Sequence, residues 1–490
     1  HRYHDAGWWY VVRASTAKIR EKVSDPIWFT KNILKANLWS KQEEIMRSCW
    51  QNKRTSVRTC HGVGKSFLAG NAILAFLYGQ IPSIVLSTAP TWRQVEKLVW
   101  KEVRASYRRA VIPLGGKLSP KRPELQIQQD EWYAAGLSTN DPDRFQGFHE
   151  ANILVVVDEA AGIPEEIFEG IEGILTSENA HLLLLGNPTS VGGTFYNSFK
   201  EPGWSTFHIS AFDTPNFTAF GITEEDMANN TWQEKIAGRP LPNPKMITPE
   251  WVYDKYKRWK PGSVMYEARV LGNFPASGND TLIPLNWIEL AIERWEEMEE
   301  CGVVELGVDV ARFGEDNTVL APKIGDKVLE LEVYSKLDTM ETTGHVIQAH
   351  KHYKSTNIKV DIIGIGAGVY DRLIEQSYPA VAVNVAESAT EAGSDKFANK
   401  RSELYWHLRE RLDPDPRINP RPIALPPDED MMLELASIKY KIDSKGKIVI
   451  EPKEEMKKRI GRSPDRADAV MIAVAPEELI CPPDTMPDIW

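Results

Sequence analysis

The sequence predicts an α/β chain, with a mostly parallel sheet in its first half and a second sheet beginning near Val303. Three observations predict it. Short apolar or β-branched runs alternate with helical periodicity, as where Thr55-Ser56-Val57 is followed by the apolar stretch Phe67 to Tyr78. Fully apolar strands such as Ile153 to Val157 end in a polar tip, which suits a parallel sheet with both faces covered. The 490 residues allow about two to three domains, each long enough for its own core.

Composition narrows the class. An apolar share of 42% and a charged share of 26% are ordinary for a globular protein, and no apolar run approaches a membrane span. No secretory leader is expected. Cys49, Cys60, Cys301 and Cys481 are scattered without a C-x-x-C pair, which favours a reducing compartment and disfavours a structural zinc site. The net charge of −11 is no advertisement for nucleic acid. Residues 1–60 nevertheless carry twelve Lys/Arg against five Asp/Glu, and Lys453, Lys457, Lys458, Arg459, Arg462 and Arg466 cluster later. Such runs are usually solvated faces, although an acidic protein can hold DNA in one basic groove.

In chain order, helices are expected around Ile27–Leu34 and Lys41–Trp50, and Gln42 at the start of the second could read an adenine edge with its amide. The stretch Arg58-Thr59-Cys60-His61-Gly62-Val63-Gly64-Lys65-Ser66 then reads as a phosphate loop between strand and helix. Gly64 lets the backbone approach a polyphosphate, with Gly62 as an additional glycine and Thr59 where the first glycine usually stands. Lys65 can reach the β- and γ-phosphates, and the Ser66 hydroxyl can hold Mg2+. A buried strand follows at Ser83–Pro90, a helix at Thr91–Tyr107, and a hairpin from Leu125–Ile127 and Trp132–Ala135.

The polar stretch Ser138–His149 carries Arg144, a candidate charge-neutralising finger for a neighbour's ATP. The strand ending in Asp158-Glu159 supplies the rest of a nucleotide site. Asp158 would hold the Mg2+ shell, and Glu159 would orient or deprotonate the attacking water. Gly186-Asn187-Pro188-Thr189 tips the next apolar strand, where Asn187 or Thr189 can sense the γ-phosphate. From Lys200 to about Asp280 the pattern loosens, with one helix near Pro249–Lys260, and 273–284 is the best linker.

Beyond Val303, strands are expected near 303–310, 317–322, 327–334 and 358–363. Asp309 and Asp361 each fall inside an apolar run, where an unpaired carboxylate is expensive to bury. Asp465 and Asp468 follow Pro464, and their spacing puts both on one helical face. If these separated acids converge, they can hold two Mg2+ or Mn2+ ions about 4 Å apart for attack on a phosphodiester. Gly364-Ile365-Gly366-Ala367-Gly368 followed by Glu387 imitates a dinucleotide fingerprint, but its third glycine falls one residue early. Taken singly, Asp309 and Asp361 would pass for capping or turn acids.

The order of these motifs resembles that of tailed-bacteriophage terminase large subunits. Leu271-Gly272-Asn273-Phe274-Pro275 and Phe397-Ala398-Asn399-Lys400-Arg401 add to the likeness, which covers nearly the whole chain. The resemblance implies an ASCE-type P-loop ATPase over residues 1–275 with a lid at about 200–275. It further implies a linker at 276–300, an RNase H-like (RuvC-like) nuclease over 301–480 and a tail at 481–490. Lys65, Ser66, Asp158 and Glu159 match the ATPase positions, Asn187 lies in the coupling motif, Arg144 near the proposed trans-acting arginine and Gln42 in the adenine-contacting motif. Asp309, Asp361 and Asp465 match the nuclease metal ligands, with Asp468 as neighbour or alternative. His61 stands where many members carry an arginine, and Pro464-Asp465 where many have two adjacent acids.

The implied activity is ATP-driven translocation of double-stranded DNA into a procapsid, with endonuclease cleavage of concatemers. Implied partners are the portal protein, the small terminase subunit and further copies in a ring, with no membrane. The implied location is the cytoplasm of the infected bacterium, not the mature virion. A two-lobed helicase-nuclease would need a second strand–helix series between Lys200 and Asp280, for which the stretch is too short. A non-enzymatic nucleotide-dependent scaffold would leave Glu159 and the in-strand Asp309 without a purpose.

Overall fold

The structure, a computed structural model, describes residues 17–128, 131–139, 145, 147–148, 150–275, 280–311 and 316–480. It divides into two compact units, His1–Pro275 and Ala276–Trp490.

In the first unit, helix α1 (Ser40–Gln51) precedes strand β1 (Arg54–Thr59), and the phosphate loop leads from β1 into helix α2 (Lys65–Gly79). Helix α2 is apolar on every side, and Leu68 to Tyr78 are all buried, as a helix enclosed by its neighbours must be. Strands β2 (Ile84–Thr88), β3 (Lys117–Leu118), β4 (Glu124–Gln128), β5 (Trp132–Gly136), β6 (Asn152–Val157), β7 (Asn179–Gly186) and β8 (Ser205–Ile209) complete the sheet. Its order is β3-β4-β5-β2-β6-β7-β1-β8. From β5 to β8 every pairing is parallel; β3 and β4 are antiparallel additions at one end. The apolar runs of β6 and β7 are buried after their first residue, as strands covered on both faces should be.

Two local departures have physical causes. The helix expected over Thr91–Tyr107 contains a π-turn at Val95–Val99, which shifts its phase so that Val95, Val99, Trp100 and Val103 all face inward. Strand β8, 5 residues within the stretch read as lid, extends the main sheet beside β1. So short a run among Pro and Gly carries almost no periodic signal. Among the described residues, 210–275 hold helices and turns but no strand, so a second helicase-like lobe has no material. No helix among the described residues is long and apolar enough to cross a membrane.

The second unit is built on strands β9 (Val304–Asp309), β10 (Asn317–Ile324), β11 (Lys327–Val328) and β12 (Glu332–Ser335). Helix α3 (Thr339–Tyr353), strand β13 (Asn357–Asp361), helix α4 (Gly366–Glu375) and strand β14 (Ala380–Val383) follow. The sheet order is β11-β10-β9-β13-β14, with β12 also on β10; β9, β13 and β14 are parallel and β10 runs against β9. Helices α5 (Lys400–Leu412) and α6 (Glu429–Ser437) come next, then a hairpin of β15 (Tyr440–Ile442) and β16 (Ile448–Ile450). Helices α7 (Lys453–Ile460) and α8 (Asp465–Val474) end the described fold but for one short helical turn.

Helix α8 lies directly on β9. A Cβ added to Gly307 would come within 2.5 Å of the Ala473 amide nitrogen and 2.6 Å of the Ala469 carbonyl oxygen, so glycine there permits the contact. Asp309 and Asp361 prove to be the last residues of β9 and β13, not mid-strand residues. After Asp361 the chain turns at Gly364, whose φ of +64° suits glycine, and enters α4 at Gly366. A Cβ at Gly366 would meet the Asp361 carbonyl oxygen, so this glycine serves close strand–helix packing in place of a dinucleotide.

Candidate functional site

The nucleotide site forms where β1, β6 and β7 end together. Gly64 takes φ +83° to start α2, and a Cβ there would lie 2.8 Å from Gln42 Nε2. Ser66 Oγ donates to Asp158 Oδ2 at 2.9 Å. Lys65 Nζ donates to Asn187 Oδ1 at 2.9 Å and lies 3.3 Å from Glu159 Oε1. Asn187 Nδ2 donates in turn to the Thr59 carbonyl at 2.6 Å, tying the tip of β7 to the root of the loop. Thr189 is buried, its amide bonded to the Asn187 carbonyl. Glu159 has φ +50°, an uncommon conformation for a residue with a side chain, and strain of this kind concentrates at functional positions.

Electrostatics follow from burial. Burial, then Glu159 beside it, push the Asp158 carboxyl up to about 6, while Lys65 and the Ser66 hydroxyl pull the other way. For Lys65, burial opposes the charge, but Glu159 and Asp158 outweigh it and hold the ammonium above its ordinary value. Burial, then Arg269 and Lys65, press His61 well below the usual imidazole range. The loop is also held by backbone: His61 N–H donates to the Arg269 carbonyl and Ile247 N–H to the Gly62 carbonyl, both at 2.9 Å.

Gln42 is placed differently from the sequence expectation. It is buried, and its Nε2 donates to the Val63 and Gly64 carbonyls at 3.3 and 3.1 Å. Its amide therefore braces the phosphate loop, giving the Val63 carbonyl a donor and adding a second to the Gly64 carbonyl, which also accepts from the Leu68 N–H at 3.0 Å. Arg144 lies outside the described residues.

The second site gathers at the ends of β9 and β13 and the start of α8. In the parallel register Val308 stands opposite Val360, so Asp309 and Asp361 come level on the same face. Lys453 Nζ lies 3.1 Å from Asp309 Oδ2, 3.2 Å from Asp465 Oδ1 and 3.1 Å from Asp468 Oδ2. Three separated acids thus meet around one ammonium. Among the described residues no group of three or more His, Cys, Asp or Glu side chains surrounds a point open to a metal. The point on which these three carboxylates converge is taken by the lysine.

Burial raises the Asp309 carboxyl to about 8, with Lys453 working against it and Asp468, Asp465 and Asp361 working with it. Burial likewise brings Asp361 to about 6, against the pull of its bond from the Ile363 amide. Around Lys453, Asp309, Asp468 and Asp465 overcome burial and hold the ammonium far above its ordinary value. Asp468 is the exception among the acids. Burial would raise it, but Arg401, Lys453 and the Tyr405 hydroxyl bring it below the usual carboxylate range. Arg401 reaches Asp468 Oδ1 at 2.8 Å and Tyr405 donates to the same oxygen at 2.5 Å.

The two acids of α8 therefore differ. Asp468 is fully engaged by Arg401, Tyr405 and Lys453. Asp465 Oδ2 accepts from the Asn317 amide at 2.7 Å, while its buried Oδ1 receives no hydrogen bond and faces only the ammonium. Behind them, buried Glu434 of α6 accepts from the Arg466 and Ala467 amides at 2.8 and 3.0 Å, fixing the start of α8.

Sequence reasoning missed Lys453, Arg401, Tyr405 and Glu434. Lys453 belongs to the basic run whose composition predicts a solvated face, yet most of that run is paired: Lys457 with Asp316, Arg459 with Glu451, Arg462 with Asp430 and Arg466 with Asp428. The available signal was that Phe397–Arg401 precedes a helix in the same half as the acids.

Comparison with known proteins agrees with the motif order. A protein of Enterobacteria phage P7 described as "Probable terminase, large subunit" is 24% identical over 459 residues, 88% of this chain and 87% of its own length. Over most of its length the chain is thus similar to a protein described as a probable terminase large subunit. No family model matches it. Among solved structures similar to it is the large terminase of a thermophilic bacteriophage in complex with ADP (11% identical, 88% of this chain and 98% of that one, TM-score 0.40). Another is a mutant nuclease domain of the large terminase subunit of bacterial virus Sf6 with manganese and beta-thujaplicinol (23% identical, 41% and 99%, TM-score 0.36).

Proposed function

We propose that this chain is the motor and nuclease of a viral DNA-packaging machine, an ATPase that drives double-stranded DNA into a procapsid and an endonuclease that cuts concatemers. The supporting observation is the pair of acid-centred sites, one in each compact unit, together with the relationship to the phage P7 protein. The proposal takes residues 1–275 as the motor with its lid, 276–300 as linker, 301–480 as nuclease and 481–490 as tail. It places the protein in the cytoplasm of an infected bacterium, with the portal protein, the small terminase subunit and further copies in a ring as partners, and Arg144 as the arginine offered to a neighbour's ATP.

In the motor, Lys65 would bind the β- and γ-phosphates, and Ser66 and Asp158, already joined by a hydrogen bond, would hold Mg2+. Glu159 would take a proton from the attacking water. Asn187, bonded to both Lys65 and the Thr59 carbonyl, would pass the change in lysine position to the sheet.

In the nuclease, the donor set is all carboxylate oxygen, which suits Mg2+ or Mn2+, and Asp465 Oδ1, buried without a hydrogen bond beside the lysine, is a ready ligand. Asp309, Asp361 and Asp465 would hold the metal, and Asp468 would hold Lys453 and Arg401 in place. A divalent ion bound there supplies Lewis acidity and a water of lowered pKa. Duplex contacts go chiefly to phosphates and so are salt-sensitive and sequence-tolerant.

Separability tests the proposal. Lys65→Ala should abolish ATP hydrolysis and leave metal-dependent plasmid cleavage; Asp309→Asn should do the reverse. Loss of both activities from either change, in a protein that still melts cooperatively, would refute the two-engine reading.

A further inference from the structure

A cavity of about 350 Å3 opens at the outer edge of the first unit's sheet, where β1 meets β8. Arg58, Lys200 and His208 line it together with the rings of Tyr196, Phe199 and Phe274, and no Asp or Glu does. The Arg58 guanidinium has only neutral partners, the Gly272 carbonyl at 3.3 Å and Asn273 Oδ1 at 3.2 Å. It lies over the Phe199 and Phe274 rings at 5.7 and 5.6 Å. Lys200 Nζ sits 3.9 Å from the Tyr196 ring centroid, and among the described residues no carboxylate pairs with it or with Arg58. The acid that registers on His208 is Asp213, which is not part of the lining.

Two cations without counter-charge, in a chain of net charge −11, select for an anion. Aromatic walls select for a flat partner, since base–aromatic stacking contributes about 1–3 kcal/mol per base. The volume is that of a small-ligand pocket. We propose that this cavity binds a nucleoside phosphate unit, its phosphate on Arg58 and Lys200 and its base against Tyr196 and Phe199. The unit is either a free nucleotide or one nucleotide of a strand. A carboxylate peptide would satisfy the cations but add no base to rings that already meet one another edge to face at Phe274. Of the phosphate-loop stretch only its first residue, Arg58, lines this cavity, and none of residues 59–66 does, although Arg58 directly precedes Thr59, whose carbonyl Asn187 holds.

The test is photo-cross-linking of the full chain to a single strand of about 12 nucleotides carrying 5-iodouracil, with Mg2+–ADP saturating the phosphate loop. Cross-links should map to Tyr196 or Phe199. Lys200→Glu should lower their yield about tenfold without changing ATPase rate or melting temperature, and Tyr196→Leu should lower it independently. Suppression by excess thymidine monophosphate would assign the cavity to free nucleotide; resistance to it would assign it to a strand. Cross-links confined to other segments, a yield unchanged in both variants, or displacement of the strand by a poly-glutamate peptide and not by nucleotide would overturn the proposal.

Discussion

Replacing Lys453 with methionine keeps the length of the side chain and removes the charge on which three buried acids converge. Asp309, Asp465 and Asp468 are each only 3–4% exposed and stand within 3.2 Å of the ammonium. Removing one partner of a buried ion pair costs about 3–5 kcal/mol. One third of the lysine side chain is open to solvent, which argues for the lower end, about 3 kcal/mol. In a unit of this size that is a fall of about 6–12 °C in its melting temperature. Metal should reverse much of it, because a cation at 100 times its dissociation constant contributes about 2.7 kcal/mol. Scanning calorimetry of the full chain in chelator and in Mn2+, native against variant, measures both effects. Equal melting of the two proteins in chelator, or a destabilised variant that Mn2+ does not rescue, would refute the placement of lysine at the ligand centre.

Other expectations concern the same two sites. The folded carboxyls of Asp309 at about 8 and Asp361 at about 6 lie above their ordinary value of 3.8, so between about pH 4 and 8 the folded state holds protons that the unfolded chain has released. Their contribution is fully present below pH 4 and lost as pH rises toward 8, whereas that of Asp468, whose carboxyl is lowered, is lost on acidification; chelated protein should therefore melt higher at pH 5.5 than at pH 8.5, read by calorimetry. Asn187→Ala removes a charged hydrogen bond to Lys65 of about 1.5–3 kcal/mol, so kcat for ATP should fall roughly 10- to 150-fold with a smaller change in KM. Gln42→Ala leaves the Val63 carbonyl without its Gln42 donor and the Gly64 carbonyl with only the Leu68 N–H, at a cost of about 1–3 kcal/mol, and should weaken ADP binding in calorimetric titration. Glu434→Gln should lower Mn2+ affinity about tenfold while leaving the ATPase unchanged, since it acts only by positioning the start of α8.

Much of the nucleotide site was legible because its residues are near one another in sequence or sit at strand tips. Lys65 and Ser66 adjoin, Asp158 and Asn187 end apolar strands, and parallel strands bring their ends to one side. The acids of the second half were legible as a set, for the register of β9 and β13 brings two of them level and a helix start brings the rest. Lys453 was not, because a lysine that crosses its neighbours to meet Asp309, 144 residues away, looks the same in sequence as one facing water. Arg401 and Tyr405 depend likewise on where α5 docks. The aim of Gln42 could not be read either: the same amide at the same helix start serves a base or a loop according to a rotation that spacing does not encode. Strand β8 was hidden by brevity, and its pairing with β1 supplies what its own residues do not advertise.

The closeness of β9 to α8 at Gly307 has one more consequence. The gap between the Asp309 carboxylate and those of Asp465 and Asp468 is gauged two residues away, by a position that contributes no side-chain heavy atoms. Even a methyl group at 307 would act as a shim beneath the helix, spreading the jaws that grip the cation without altering a single charged group. The cutting edge is thus sharpened by something left out.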